Sequence, residues 1–206
     1  MNKVHQANIW IFNQSVKCAA KDDVPFELTK EELMKITDLD CVYCGEQPKN
    51  FKRSLVDRRN PSDGYTKDNT VPACADCARS KGSCDASTFV ARCRHVSFVN
   101  GGPGGQTTKW NNVKHKTYEQ YKKENIHKNF QLSSEQYYDL RRDECVYCKR
   151  ETTPDHMNGI DRLDCDMGYV PDNCVSCCHD CNILKLVSTR EAFVAHMVKI
   201  AVHTSA

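Results

Sequence analysis

The sequence predicts an α+β fold: two tandem copies of one small unit, each a β-hairpin and a short helix with clustered cysteines and flanking helices. Three observations predict it. The first is an internal repeat at a fixed offset of 104 residues. Cys41, Val42, Tyr43 and Cys44 recur as Cys145, Val146, Tyr147 and Cys148. Val56-Asp57-Arg58 recurs as Ile160-Asp161-Arg162, Gly64-Tyr65 as Gly168-Tyr169, and Asp68-Asn69 as Asp172-Asn173. Cys74 and Cys77 recur as Cys178 and Cys181, Lys81 as Lys185, and Phe89-Val90-Ala91 as Phe193-Val194-Ala195. A register kept through loops as well as helices means one folded unit present twice. The second observation is the spacing of the cysteines, and the third is a matched set of helix starts and turns around them.

Each copy reads C-x2-C, 29 residues, then C-x2-C. A C-x2-C turn brings two thiolates to one ion, and two such turns complete a tetrahedral site. The predicted zinc ligands are Cys41, Cys44, Cys74 and Cys77 in the first copy. In the second they are Cys145, Cys148, Cys178 and Cys181. The remaining six of the 14 cysteines, Cys18, Cys84, Cys93, Cys165, Cys174 and Cys177, have no cysteine at the repeat-related position. They are expected to be buried small apolar residues. Cys177 adjoins a ligand and could compete for metal.

The elements follow in order. Thr29-Lys30-Glu31-Glu32 and Ser133-Ser134-Glu135-Gln136 are capping boxes, each after a leucine, so a helix precedes each first knuckle. Residues 54–58 and 159–163 read as strands. Turns follow at 60–64 and 164–168, then second strands through Val71 and Val175. Residues 75–80 and 179–186 read as short helices. A closing helix is capped by Asp85 in the first copy and by a box at Ser188-Thr189-Arg190-Glu191 in the second. There Phe193, Val194, Met197, Ile200 and Ala201 form its apolar stripe. The expected division is an N-terminal extension at 1–25, a first unit at 26–100, a Gly-rich and basic linker at 101–129, and a second unit at 130–206.

Composition bounds the function. The 206 residues suit two domains of roughly 100 residues each. No run approaches a membrane span, and the first residues show no signal peptide, so an intracellular or virion location is expected, not a secreted one. In a reducing compartment paired cysteines serve metal more often than disulfides. The formal net charge is +2 with cysteine counted neutral. Each four-thiolate zinc site carries a net −2, so the loaded protein stands near −2 overall. Nucleic-acid binding would therefore rest on local patches. Lys109, Lys114, Lys116, Lys122, Lys123 and Lys128 around Trp110, Tyr118 and Tyr121 are one candidate; a solvated helix face with inward aromatics is the plainer reading.

The hairpin-plus-helix pattern resembles the HNH (ββα-metal) endonucleases. The second copy carries it best, in Ile160-Asp161-Arg162-Leu163-Asp164, Gly168-Tyr169-Val170-Pro171-Asp172-Asn173 and Cys178-His179-Asp180-Cys181-Asn182-Ile183-Leu184-Lys185. The resemblance spans residues 41–81 and 145–185. It implies a Mg2+ or Mn2+ ion held by Asp161 and Asn182, with Asn173 positioning the base. Arg162 stands where the family has its catalytic histidine; it cannot accept a proton but suits a phosphate. His156 is the best substitute base, and Tyr147 a distant second. In the first copy Ala78 replaces Asn182 and Lys52 matches His156, so no catalytic ion is expected there. Its Arg53, Arg58, Arg59, Arg79 and Lys81 could grip DNA instead. An Asp–Arg pair locking hairpin to helix is the structural account of Asp57-Arg58 and Asp161-Arg162.

Two functions stay open at this point. One is an HNH-type endonuclease with its activity in the second copy, acting on nucleic acid, DNA above all. The other is a non-catalytic tandem zinc module that binds nucleic acid or joins protein subunits in a larger assembly such as a virion. The family is common in viruses and mobile elements, which the resemblance extends to this chain.

Overall fold

The computed structural model describes residues 3–48, 54–114 and 116–205, with side chains from residue 9 onward. The fold is α+β, and the chain divides into two compact units, Met1–Cys93 with Lys199–Ala206, and Arg94–Val198.

In the first unit, α1 (Lys3–Lys21) and α2 (Lys30–Thr37) precede a two-stranded antiparallel hairpin, β1 (Leu55–Arg58) and β2 (Thr70–Ala73). Helix α3 (Ala75–Lys81) follows, and then α4 (Ala86–Val99). The second unit repeats the order with α5 (Tyr118–Asn125), α6 (Ser134–Arg142), β3 (Gly159–Arg162), β4 (Cys174–Cys177) and α7 (His179–Lys185), before α8 (Arg190–His203). The registers match: Asp57 faces Val71, and Asp161 faces Val175.

The predicted caps form. Thr29 and Glu32 close a reciprocal box on α2, and Ser133 and Gln136 close one on α6. Leu28 and Leu132 before them are buried. Asp85 accepts from the Thr88 amide at 2.9 Å at the start of α4. The box expected at Ser188 is displaced by one residue: Thr189 accepts from the Ala192 amide. The Ser188 amide is still bound to the Lys185 carbonyl, so it belongs to the turn ending α7.

The repeat reaches further back than residue 26. Helix α5 ends 104 residues after α1, and it carries a capping box of its own at Thr117 and Gln120. Ala19 of α1 is buried with Leu28 and Tyr65 in the first core. Tyr118 and Tyr121 of α5 pack on Phe130, Tyr137 and Tyr169 in the second. The stretch expected as an N-terminal extension and part of the stretch expected as linker are thus core elements. Tyr118 and Tyr121 face inward, and Lys116 pairs with Glu124. The Gly-rich segment is packed as well: a Cβ at Gly104 (φ +137°) would lie 2.2 Å from the Arg94 carbonyl oxygen.

The repeated Gly-Tyr pair has a steric cause. The incoming chain crosses the hairpin turn so closely that a Cβ at Gly64 would meet the Pro25 carbonyl at 2.5 Å. At Gly168 it would meet the Asn129 carbonyl at 2.6 Å. Glu27 and Gln131 then donate backbone hydrogen bonds to Tyr65 and Tyr169.

Candidate metal centres

The eight predicted cysteines converge in two clusters, Cys41, Cys44, Cys74 and Cys77, and Cys145, Cys148, Cys178 and Cys181. Within each, the four sulfurs lie within 4.8 Å of one another. Two local devices aim them. The first knuckle turns back on itself, with the Gly45 amide on the Cys41 carbonyl and the Lys149 amide on that of Cys145. This needs a left-handed residue, Gly45 at φ +68° and Lys149 at φ +61°. The second knuckle opens a helix, so Cys74 and Cys178 sit at N-caps and accept the Cys77 and Cys181 amides at 3.4 Å. The Cys74 and Cys178 sulfurs each thereby gain a backbone donor that favours the thiolate. Four soft donors in a buried, closed set suit zinc of the structural kind, with no open position for a substrate.

The other cysteines divide. Cys93, Cys174 and Cys177 are buried as expected, but Cys18 is exposed, and Cys84 and Cys165 are half-buried. Burial pushes the Cys174 thiol up to about 12. Burial also raises Cys177, whose thiol contacts Cys145 and donates to the Cys178 carbonyl at 3.2 Å. It lies outside the four-sulfur cluster.

Behind each cluster is a second repeated constellation. The Tyr43 hydroxyl donates to Asp57 at 2.6 Å, and Lys81 Nζ lies 3.2 Å from the same carboxylate. The Tyr147 hydroxyl donates to Asp161 at 2.7 Å, and Lys185 Nζ lies 3.1 Å from it. The Lys185 side chain is 0 % exposed and that of Asp161 4 %; Lys81 is 1 % and Asp57 14 %. Tyr43 stacks edge-on to Phe89, and Tyr147 to Phe193, with ring centroids 5.2 Å apart in both. Tyrosine, aspartate, lysine and phenylalanine were all visible in the 104-residue repeat. That they form one buried chain from knuckle to strand to helix was not. The signal that could have found it is the strict repetition of Lys81 as Lys185, at the same distance from the second knuckle in both copies.

The lysine corrects two readings. Lys81 is buried against Asp57 and does not offer itself to DNA. The partner that locks Asp57 and Asp161 to the helix is lysine, not the neighbouring arginine. Arg162 instead bonds the Cys165 and Met167 carbonyls at 2.7 and 2.8 Å and lies over the Tyr169 ring. Arg58 bonds the Asp63 carbonyl, pairs with Asp22 and lies over Tyr65. Both arginines hold their hairpin turns shut.

Asn173 holds the same turn. It accepts from the Asp164 amide at 2.9 Å and donates to the Asp164 and Gly168 carbonyls. Asn69 makes the equivalent three bonds with Asn60 and Gly64. Both amide N–H groups and one lone pair of Oδ1 are thereby engaged within the loop.

His156 is 2 % exposed. Its Nδ1 accepts from the Val113 amide at 3.3 Å, so the Nε2 proton is free to go to Asn158 Oδ1 at 3.1 Å. Burial lowers its pKa, which keeps the ring neutral. The segment over it is pinned at both ends. The Asn111 side chain and backbone amide bond the buried Asp180 carboxylate at 2.8 Å, and Arg150 donates to Asn111 and Asn112. Among the described residues His156 and Asp161 share no hydrogen-bond or ion-pair partner. Asn182 is half-exposed on α7, as is Ala78 on α3. Of the remaining first-copy cations, Arg59 and Arg79 are exposed, with Arg79 paired to Asp76. Lys52 and Arg53 lie outside the described residues.

No family model matches the chain, and no solved structure matches it. An uncharacterized protein of Acanthamoeba polyphaga mimivirus is 35 % identical over 199 residues, covering 88 % of this chain. The alignment spans 36 % of that relative, so the chain covers about a third of its length. Among the described residues no helix is long and apolar enough to cross a membrane.

Proposed function

We propose that the protein is a non-catalytic tandem zinc scaffold in which an HNH-like hairpin has been turned into a structural kernel. The observation that carries this reading is the buried lysine on the strand aspartate in both units. A divalent ion at Asp161 would share one carboxylate with the Lys185 ammonium, about 3 Å away, in a desolvated setting where like charges repel strongly. The engagement of Arg162, Asn173 and His156 within the fold supports the same reading. Arg162 has no lone pair to offer, the Asn173 amide is not basic, and His156 Nδ1 already accepts from the Val113 amide. The mimivirus relative is uncharacterized and brings no activity with it.

The test is cleavage. Zinc-loaded protein incubated with Mg2+ or Mn2+ should leave single- and double-stranded DNA and RNA intact, and Asp161→Asn should change melting temperature instead of activity. Metal-dependent cleavage by the wild type that Asp161→Asn abolishes, with zinc content and fold unchanged, would overturn the proposal and restore the nuclease reading.

A further inference from the structure

We infer that the first unit carries a binding site for a small, neutral, hydroxyl-rich molecule, a sugar ring either free or borne by a nucleoside. The inference goes beyond the scaffold reading and does not depend on it. The site is a cavity of about 430 Å3 beside the hairpin turn. Pockets for small organic ligands run from roughly 300 to 1,000 Å3, so the volume suits one. Arg58, Tyr65 and Lys81 are buried at its floor, with Asp57 half-buried beside them. Cys18, Asp22, Ser62, Gly82 and Ser83 are exposed at its mouth.

Two groups on the floor have hydrogen bonds left to make. A lysine ammonium has three N–H donors. In the second unit Lys185 shares them between Asp161 and the Arg162 carbonyl, which it meets at 3.2 Å. Lys81 bonds only Asp57 among the described residues, and two N–H groups suffice for that carboxylate. The third is left over in the wall of the cavity. Tyr65 is 7 % exposed, and its hydroxyl has no hydrogen-bond partner among the described residues. Its counterpart Tyr169 is met edge-on by Tyr121, with ring centroids 5.8 Å apart; the first unit has the exposed Lys17 at that offset. Buried polar groups are ordinarily satisfied, so both call for a partner from outside the chain.

The second unit shows what closes such a space. At the 104-residue offset Asp22, Gly82 and Ser83 become Ile126, Leu186 and Val187, three apolar side chains. The polar mouth therefore belongs to the first unit and not to the repeat, while the floor of arginine, tyrosine, aspartate and lysine is common to both.

Charge selects the ligand. The lining charges cancel, because Arg58 is paired with Asp22 and Lys81 with Asp57. Among chain neighbours of the lining, exposed Lys17, Lys21 and Arg59 stand against exposed Asp23 and Asp63, and Arg79 is paired with Asp76. The remainder is one cation in solvent, where salt screens it. An ion entering the cavity would shed its water with no net opposite charge to meet it. What the lining offers instead is a mixture of donors and acceptors. These are the spare Lys81 proton, the hydroxyls of Tyr65, Ser62 and Ser83, and the Asp22 oxygen that Arg58 leaves open. A hydroxyl gives and accepts through one atom, and a ring bearing several can answer such a mixture on all sides.

The experiment uses the full zinc-loaded chain. D-glucose, D-ribose and uridine are the neutral probes, and inorganic phosphate is the charged one. Ligand-observed NMR titration should show saturable binding of at least one neutral probe and weaker binding of phosphate, or none. Binding of glucose or ribose supports the site as one for free sugars, and binding of uridine alone supports it as one for nucleosides. Tyr65→Phe removes a hydroxyl that the fold does not use. It should weaken binding about tenfold, the worth of one hydrogen bond, with the melting temperature unchanged. Gly82→Leu with Ser83→Val gives the mouth the second unit's residues and should abolish binding at unchanged zinc content. A bound probe should also slow alkylation of Cys18 by iodoacetamide, read by peptide mass spectrometry against the half-buried Cys165 of the second unit. No saturable binding of any neutral probe, tighter binding of phosphate, or binding that both variants leave unchanged overturns the inference. So does equal protection of Cys18 and Cys165, which would put the ligand elsewhere.

Discussion

The two hairpins share an interior and differ in their rims. Tyrosine, aspartate, lysine and phenylalanine meet in the same way in both units, and so do the asparagine turn lock and the arginine over tyrosine. Around that kernel the first unit is polar. Arg58 reaches Asp22, just past the end of α1. In the second unit the residue at that offset is Ile126, and Arg162 is satisfied by carbonyls alone. The lesson is that duplication kept what a small zinc unit needs in order to close, and freed the surface to diverge. Ala78 stands where the second unit has Asn182, yet Tyr43, Asp57 and Lys81 meet as their counterparts do.

The comparison breaks most visibly at the metal. Purified protein should hold two zinc ions, and Cys41→Ser or Cys178→Ser should each remove one. Binding of a structural zinc is worth roughly 10–16 kcal/mol, so the damaged unit should unfold. Hydrogen exchange read separately over the two hairpins would show which unit opens. Loss of both hairpins from either variant would mean that the units are not separate folding blocks.

The buried lysines come next. Lys185→Met leaves the Asp161 carboxylate without its cation and should cost about 3–5 kcal/mol in denaturant unfolding. Lys81→Met should cost less, about 1–3 kcal/mol, because Asp57 is 14 % exposed against 4 % for Asp161 and water can reach it. Adding Asp161→Asn to Lys185→Met should recover part of the loss. Equal costs in the two units would show that exposure is not what separates them.

Smaller effects sharpen the contrast at the end of the short helices. Leu186→Gly should stabilise by about 1 kcal/mol, the strain released less the entropy that glycine brings to the unfolded chain. Gly82→Ala should destabilise by about 1 kcal/mol. A Cβ there has open space, with the Arg79 carbonyl oxygen 3.9 Å away, so the cost would be conformational. Thermal melts of the two variants should move in opposite directions.

The smallest effect is one of pH. Burial holds His156 below its ordinary 6.5, so below about pH 6.5 the unfolded chain takes up a proton that the native state resists. Stability should therefore fall as pH drops through that value, by at most about 1.4 kcal/mol per unit. Urea unfolding of wild type and His156→Gln at several pH values isolates this slope, since acid release of zinc is common to both. Identical slopes would mean that the histidine is not held neutral.

The sequence by itself determined the duplication, the two four-cysteine clusters, the hairpins and nearly all the caps. Those signals are local or periodic: two cysteines in a turn, a capping box over three residues, an offset that never slips. It did not determine what the repeated charged residues do. Asp161 reads as a metal ligand in a motif, and Lys81 as a cation that could grip DNA, until the fold sets Lys185 3.1 Å from Asp161 and Lys81 3.2 Å from Asp57 and buries both lysines. The neutral, covered state of His156 likewise depends on Val113, 43 residues away in the chain. Burial and partnership are properties of packing between distant segments, and a charge changes its meaning when its solvent is taken away. Tertiary structure decided that Asp161 meets a buried lysine and that Arg162 and Asn173 bond within their own hairpin turn.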